Sequence, residues 1–425
     1  MEEKRSLSER DQAIIWHPYT QMKTAGLPIP IVRGEGVYLI DENGKKYLDA
    51  VSSWWVNLHG HSHPHIAKKV AEQASILEHA IFAGFTHPPA VELAEGLLKI
   101  LPPNQAKIFY SDNGSTAVEV ALKMCFQYRS NKNQSRNKVL AFQHSYHGDT
   151  FGAMAVSARS AFTAAFESLL FDVEYIETPH AGNIEKLKAY LRENAADISS
   201  FIYEPLIQGS GGMLMYEAKW LDQLLGICRE LGILTIADEV MTGFGRTGKL
   251  FASDYMEHQP DIVCLSKGLT GGTMALGVTS ATQEIFDAFL SDDKLKTLFH
   301  GHSFTANPIA CAAALASLDL TLSKETQDNI QRICARHAAF ALHIQNNPKL
   351  KAVRQTGTII AFEWETGDDT SYFSSLRDNL YQFFLKEGII LRPLGNIIYI
   401  LPPYCISDAE LDYIYAKIEQ ALDIF

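Results

Sequence analysis

Paired cysteines, long apolar runs and an excess of positive charge are all missing from this chain. None of its six cysteines (Cys125, Cys228, Cys264, Cys311, Cys334 and Cys405) belongs to a Cys-x-x-Cys pair. Most lie in apolar helical or strand-like contexts, so they read as reduced core thiols, not as a disulfide framework. No apolar run reaches the length needed to cross a bilayer, and residues 1–10 are charged, without an apolar targeting core. The expected location is the cytoplasm. Lys and Arg number 37 against 49 Asp and Glu, which leaves a formal net charge of −12. Such a surface argues against nucleic acid or an anionic membrane as a main partner, though it leaves room for a local basic pocket around a phosphate. Internal repeats and low-complexity tracts are also absent.

What is present is an ordinary globular mixture, 47% hydrophobic and 20% charged, in 425 residues. That is too long for one simple core, so two domains around one large sheet are expected. The first 60 residues hold short strand-like pieces at 37–40 and 46–49, around the turn Asp41-Glu-Asn-Gly44. Strand-like runs recur at 107–110, 139–142, 173–176, 200–203, 233–236 and 262–265. Helical periodicity covers 66–77, 90–98, 116–128, 218–231 and 308–323. This alternation predicts a mostly parallel α/β sheet with both faces covered. The last third adds strands at 358–363 and 397–401 and helices at 374–387 and 408–422, an α+β unit that the N-terminal strands join in space.

Two of the apolar runs end in a polar residue. Gly232-Ile-Leu-Thr-Ile-Ala-Asp238 delivers a carboxylate, and Asp261-Ile-Val-Cys-Leu-Ser-Lys267 delivers an amine. In open α/β sheets ligands sit beyond the carboxyl ends of strands, where both residues fall. Pyridoxal phosphate needs this pair: a lysine to bind its aldehyde, and a carboxylate to keep its pyridine nitrogen protonated. The run to Tyr110 leads into Ser111-Asp-Asn-Gly-Ser-Thr116 and then a helix. Gly114 permits tight backbone there, and Ser115 and Thr116 place hydroxyls and free N–H groups at a helix N-terminus, a cradle for phosphate. In the loop His144-Ser-Tyr-His-Gly-Asp149, Tyr146 can stack on a planar ring and Gly148 lets the backbone approach. Glu204, before Pro205, points a second carboxylate at the same edge. His59, His61, His63 and His65 alternate, but Pro64 breaks the strand and no acidic or thiol cluster accompanies them. They read as turn and capping histidines, and no metal site is expected.

Four motifs follow in order: Ser111-Asp-Asn-Gly-Ser-Thr-Ala-Val-Glu119, Ser145-Tyr-His-Gly148, Ala237-Asp-Glu-Val-Met-Thr-Gly-Phe-Gly-Arg-Thr-Gly248 and Leu265-Ser-Lys-Gly-Leu-Thr-Gly-Gly272. With them the chain resembles, over nearly its whole length, the class III aminotransferases of the fold-type I pyridoxal 5′-phosphate enzymes. Trp16-His-Pro-Tyr-Thr-Gln21, Ser52-Ser-Trp-Trp55 and Arg392-Pro-Leu-Gly-Asn-Ile-Ile-Tyr-Ile-Leu-Pro-Pro403 resemble the branch that uses S-adenosylmethionine to aminate 8-amino-7-oxononanoate in biotin synthesis.

The resemblance implies a seven-stranded sheet in a large domain at 61–320 and a smaller α+β domain at 321–425, with the 1–60 segment packed on the small domain. It also implies a homodimer with active sites at the subunit interface. Lys267 would carry the cofactor and shuttle a proton, Asp238 would bind the pyridine nitrogen, and Tyr146 would cover the ring. Gly114 and Ser115 would hold the phosphate, joined by Ser303 of the neighbouring copy from the loop Gly301-His-Ser-Phe304. Tyr19, Trp54 and Trp55 would line the substrate pocket, and Gly301 would lie close to it. Arg392 would pair with the carboxylate of the amino-oxononanoate, a task suited to guanidinium. Arg246 is the candidate for the donor carboxylate. His302-Ser303 departs from the Pro-Thr of better-known adenosylmethionine users and resembles members that take lysine, which keeps lysine as an alternative donor. Other class III ω-aminotransferases, acting on 4-aminobutyrate, ornithine or diamines, remain a broader alternative.

Overall fold

The computed structural model describes residues 5–367 and 375–425. Its centre is a seven-stranded sheet in the order Gln105–Ser111, Gly277–Thr282, Ile262–Leu265, Leu234–Asp238, Ile198–Tyr203, Lys138–Phe142, Val173–Ile176. Six strands run the same way, and Gly277–Thr282 is antiparallel to both its neighbours. The mostly parallel α/β sheet is thus as expected. Leu234–Asp238, Ile198–Tyr203 and Ile262–Leu265 are buried along their full length, which is why they appear in the sequence as largely apolar runs. The seventh strand carries Gly, Ser, Thr and Ala where the others carry Val, Ile and Leu. It has no such signature and escapes a search by hydrophobic pattern.

Register sets the chemistry of one edge. Ala237 pairs with Tyr203, so Glu204 and Asp238 leave the sheet side by side. Asp238 pairs with Cys264, so Lys267 emerges three residues further along the neighbouring strand's path.

The helix Pro308–Leu322 is buried on nearly every side and packs against Pro64–Ile76 and Pro88–Ile100. A three-stranded antiparallel sheet, Leu350–Thr356, Ile359–Trp364 and Ile397–Ile400, forms the C-terminal core with the helices Lys324–Ile344, Ser375–Lys386 and Asp408–Ile424. Ser374, taken from sequence as the start of one of these helices, lies outside the described residues. A further sheet runs Ile31–Glu35, Tyr38–Asp41, Lys46–Asp49 and Ile389–Ile390, so the N-terminal strands do join the C-terminal third. Residues 324–356, to which the sequence reading gives no element, form the long helix Lys324–Ile344 and the first strand of that core. The helix is amphipathic, with Ile330, Ile333 and Phe340 inside and a largely polar outer face.

Two cysteines depart from the expected core position: Cys405 is exposed and Cys334 only partly covered. The four alternating histidines have separate duties. His63 caps the helix Pro64–Ile76, His61 pairs with Asp49 at 2.9 Å, and His59 meets Ser317 at 3.2 Å. His65 lies 3.4 Å from Asp319 at the surface. No group of side chains able to hold a metal ion occurs among the described residues. Nor is any helix there long and apolar enough to cross a membrane.

The loop after Lys138–Phe142 is pinned from behind by Glu119. Its Oε1 accepts from Thr150 Oγ1 at 2.5 Å, Gly152 N at 2.7 Å and Ala153 N at 3.1 Å, at the start of the helix Phe151–Val156. A Cβ at Gly152 would sit 2.2 Å from the Glu119 carboxylate. Gly152→Ala should displace that acceptor and cost about 1–3 kcal/mol. A lowered apparent melting temperature checks this, and an unchanged one would show that the pin is dispensable.

Candidate active site

Loops at the carboxyl edge of the sheet enclose a cleft of about 690 Å³. Of the residues nominated from sequence, Lys267, Asp238, Tyr146, Gly114, Ser115, Tyr19, Trp54, Trp55 and Arg392 all line it. They come from seven separated stretches of chain, and the fold brings them together.

Asp238 is buried. Its Oδ2 lies 2.7 Å from His147 Nδ1, and its Oδ1 accepts from Val240 N at 3.1 Å. His147 is also buried, its backbone N–H donates to Ser157 Oγ at 2.8 Å, and its Nε2 has no partner. The sequence reading passed over His147, although the residue stands in the quoted Ser-Tyr-His-Gly motif. Its signal was its place beside Tyr146 in a loop after a buried strand. Glu204, level with Asp238, is held by Tyr146 N and Gly209 N, each at 2.9 Å. Burial pushes its carboxyl up to about 7.

Lys267 begins a short helical turn with φ of +44°, a left-handed conformation that costs a non-glycine residue about 1–3 kcal/mol. Its Nζ lies 4.4 Å from the centre of the Trp55 ring. Burial lowers its ammonium from 10.5 to about 8, and the carboxylates of Asp238 and Glu204 offset part of that effect. A lysine tuned in this way is a nucleophile near neutral pH.

Gly114 and Ser115 open the helix Gly114–Asn131, which Asn113 caps by accepting from Thr116 N at 2.9 Å. The first N–H groups of a helix lie outside its own ladder and carry the positive end of its dipole. Gly148 has φ of +132° and packs so closely that a Cβ would sit 2.0 Å from Ser115 Oγ. Only glycine lets the Tyr146 loop close over this helix start.

Tyr146 and Tyr19 meet hydroxyl to hydroxyl at 3.2 Å, and Tyr19 donates a short bond to Asp149. Burial and that carboxylate raise the Tyr19 phenol to about 12. Trp54 and Trp55 sit on a contorted turn with positive φ at Ser52, Ser53 and Trp55. Asp49 holds it through Ser53 N at 2.7 Å, Leu401 O accepts from Ser52 Oγ at 2.8 Å, and Trp55 Nε1 donates to Tyr399 Oη at 2.9 Å. The Arg392 guanidinium stacks on Trp54, 3.9 Å from the ring centre.

Three nominated residues are not brought to this wall. Arg246 is buried between tight glycine turns and the C-terminal segment, where Nη1 donates to Pro402 O at 2.7 Å and the guanidinium faces the Tyr404 ring. Its Nε and Nη2 have no partner, and it does not line the cleft. Gly301 and Ser303 lie in the exposed turn before Pro308–Leu322, away from the cleft of their own chain.

The residues fit pyridoxal phosphate. Asp238 is a buried acceptor for a protonated ring nitrogen, Lys267 is an amine of lowered basicity for the aldehyde, Tyr146 is a flat wall, and Gly114 and Ser115 form an anion cradle.

The profile of the aminotransferase class-III family matches residues 19–422. The chain belongs to the class III aminotransferases. It is therefore a pyridoxal-phosphate-dependent aminotransferase. A protein of Synechococcus elongatus named adenosylmethionine-8-amino-7-oxononanoate aminotransferase is 47% identical over 419 residues, covering 96% of this chain and 98% of its own. One of the same name from Geobacter sulfurreducens is 38% identical, covering 98% and 97%. Among solved structures, the Methanocaldococcus jannaschii protein of that name superposes with a TM-score of 0.94 at 36% identity, covering 98% of each chain. An omega transaminase of Pseudomonas jessenii, solved in complex with PMP, gives 0.92 at 26% identity, covering 99% of this chain and 98% of its own. The fold-type I α/β architecture expected from sequence agrees with these neighbours.

Lys267 is expected to react with pyridoxal phosphate in the cofactor-free protein at a rate that rises with pH. Below its pKa the amine is a non-nucleophilic ammonium, and above it the amine is free, so the midpoint should lie near 8. Stopped-flow absorbance measures this, and a midpoint near the ordinary 10.5 would contradict the tuned environment.

Proposed function

We propose that this aminotransferase moves an amino group from S-adenosylmethionine to 8-amino-7-oxononanoate, yielding 7,8-diaminononanoate for biotin synthesis. The observation that carries the reading is the cleft wall opposite in character to the polar floor: Arg392 stacked on Trp54, with Tyr19 and Trp55 nearby. An acceptor with a carboxylate at one end and a methylene chain suits it. Each methylene buried contributes about 0.8 kcal/mol. The guanidinium offers a bidentate partner to the far carboxylate. The names of the relatives at 47% and 38% identity support the same choice.

The cofactor supplies an electron-accepting ring. Asp238, braced by His147, would hold the proton on its nitrogen, and Lys267 Nζ would take and return the proton at the reacting carbon. Tyr146 would cover the ring, Gly114 and Ser115 would hold the phosphate, and Trp55, 4.4 Å from Lys267 Nζ, would help keep water from the amine.

The reading includes a homodimer in the cytoplasm, with Ser303 of a second copy completing the phosphate site. The support for pairing is the exposure of four large apolar side chains, Ile81, Phe85, Phe299 and Phe304, the last next to Ser303 in sequence. Asn307 Nδ2 donates to Glu78 O at 3.0 Å and ties these two segments together. The boundaries 1–60, 61–320 and 321–425 remain the proposed domain division. Arg246 is kept as a donor-carboxylate candidate only if it can be freed from Pro402. Lysine is the second donor reading, because of His302-Ser303.

Arg392→Ala should raise KM for the amino-oxononanoate by about tenfold or more, as loss of a charge-assisted pair implies, and change the half-reaction with the donor far less. A donor screen with adenosylmethionine, lysine, alanine and 4-aminobutyrate accompanies the measurement. Rapid turnover of 4-aminobutyrate with no use of the amino-oxononanoate would overturn the substrate assignment.

A further inference from the structure

Glu204 is buried beside Asp238 and lines the cleft, yet beyond its charge it has no part in the chemistry of Lys267, Asp238 and Tyr146. Its two carboxylate oxygens go to two different loops. Oε1 accepts from Tyr146 N and Oε2 from Gly209 N, each at 2.9 Å. Both donors are backbone N–H groups, so neither bond depends on a partner side chain. We propose that Glu204 is a positioning residue for amino transfer: its carboxylate staples the Tyr146 loop to the Gly209–Gly212 turn and so fixes the two walls that meet at Lys267. Such a role is independent of which donor or acceptor the protein uses.

One wall is the Tyr146 ring, whose backbone the first bond holds. The other is Trp55, reached through Gly209. A Cβ at Gly209 would sit 2.6 Å from Met241 Sδ and 3.0 Å from a carbon of the Trp55 ring, so the bare backbone of Gly209 packs directly on that ring. The centre of the Trp55 ring in turn lies 4.4 Å from Lys267 Nζ. The two loops also touch elsewhere. Gln208 Nε2 donates to Gln143 O at 2.7 Å, and a Cβ at Gly211 would sit 2.3 Å from His144 O. At its far end the turn is anchored on the C-terminal sheet, where Gly212 O accepts from Arg354 Nη2 at 3.0 Å and Arg354 Nη1 pairs with Glu363 at 2.6 Å. Glu204 is itself held from behind: Pro205 follows it, and its carbonyl accepts from Tyr216 Oη at 2.6 Å.

The task needs an ionised carboxylate, because only that group offers two oxygens that accept and nothing that donates. Glutamine has nearly the same shape, but its NH2 would face one of the two donors and leave that N–H without a partner in a buried place. Burial pushes the Glu204 carboxyl up to about 7, with the His147 ring opposing the rise and Asp238 adding to it. The other titratable groups facing it are Lys267 and Tyr216. The staple is therefore complete above about 7 and weakens as the carboxyl takes a proton below that value.

Glu204→Gln in the cofactor-loaded protein, at a pH of about 8 where the wild-type carboxyl is ionised, separates this role from a merely structural one. Its kcat per bound cofactor should fall about tenfold or more, as small displacements of reacting groups imply, while KM for donor and acceptor changes far less. Hydrogen exchange read by mass spectrometry should show the Tyr146 amide, the Gly209 amide or both exchanging about tenfold faster than in wild type, with the strand Ile198–Tyr203 unchanged. Wild-type kcat per bound cofactor in the variant overturns the proposal. So does a loss of kcat that comes with equally faster exchange throughout the sheet, which marks a general loosening. If the variant does not fold, exchange in wild type decides: slow exchange at both amides supports the staple, and fast exchange at either one overturns it.

Discussion

Asp238 puts a carboxylate where water cannot reach it freely, and much of the site can be understood as a response to that one buried charge. Taking a carboxylate out of water is costly unless hydrogen bonds and a counter-charge replace the lost hydration. Val240 N–H and His147 supply the hydrogen bonds. A protonated pyridine nitrogen would supply the counter-charge, and on the proposed reading the same desolvation would make Asp238 a strong holder of the cofactor's ring proton. The parallel register sets Glu204 level with Asp238, and burial raises its carboxyl to about 7, so the paired strands limit like-charge repulsion at neutral pH.

Strained backbone also occurs in the segments that line the cleft. Lys267 and three residues of the Ser52–Trp55 turn adopt positive φ without being glycine. Such conformations persist only where surrounding bonds over-determine them. Asp49, Leu401 and Tyr399 do so for the tryptophan turn. The result is a wall that presents Trp54 to Arg392 and Trp55 to Lys267.

The strand ends were legible in the sequence because buried parallel strands leave continuous apolar runs, and the terminal Asp238 and Lys267 stand out against them. The helix start at Gly114 was legible because Gly114, Ser115 and Thr116 closely follow such a run. The strand Gly277–Thr282 was not, because small residues pack in the sheet without an apolar signature. His147 was missed because its place beside Tyr146 marks the loop but does not reveal that the ring braces a carboxylate 91 residues away. Arg246 shows the reverse: a motif arginine nominated for substrate that lies packed against Pro402 and Tyr404, because glycines on either side fold it inward. Gly301 and Ser303 belong to no site within one chain, and only the family resemblance singled them out.

The central claim is that nitrogen leaves one substrate, waits at the Lys267 site and joins another. Mass spectrometry of the product made from amine-labelled heavy-nitrogen adenosylmethionine and unlabelled 8-amino-7-oxononanoate tests it most directly. The account predicts 7,8-diaminononanoate carrying one heavy nitrogen per molecule. Unlabelled product, or an isomer formed from the amino-oxononanoate alone, would contradict it.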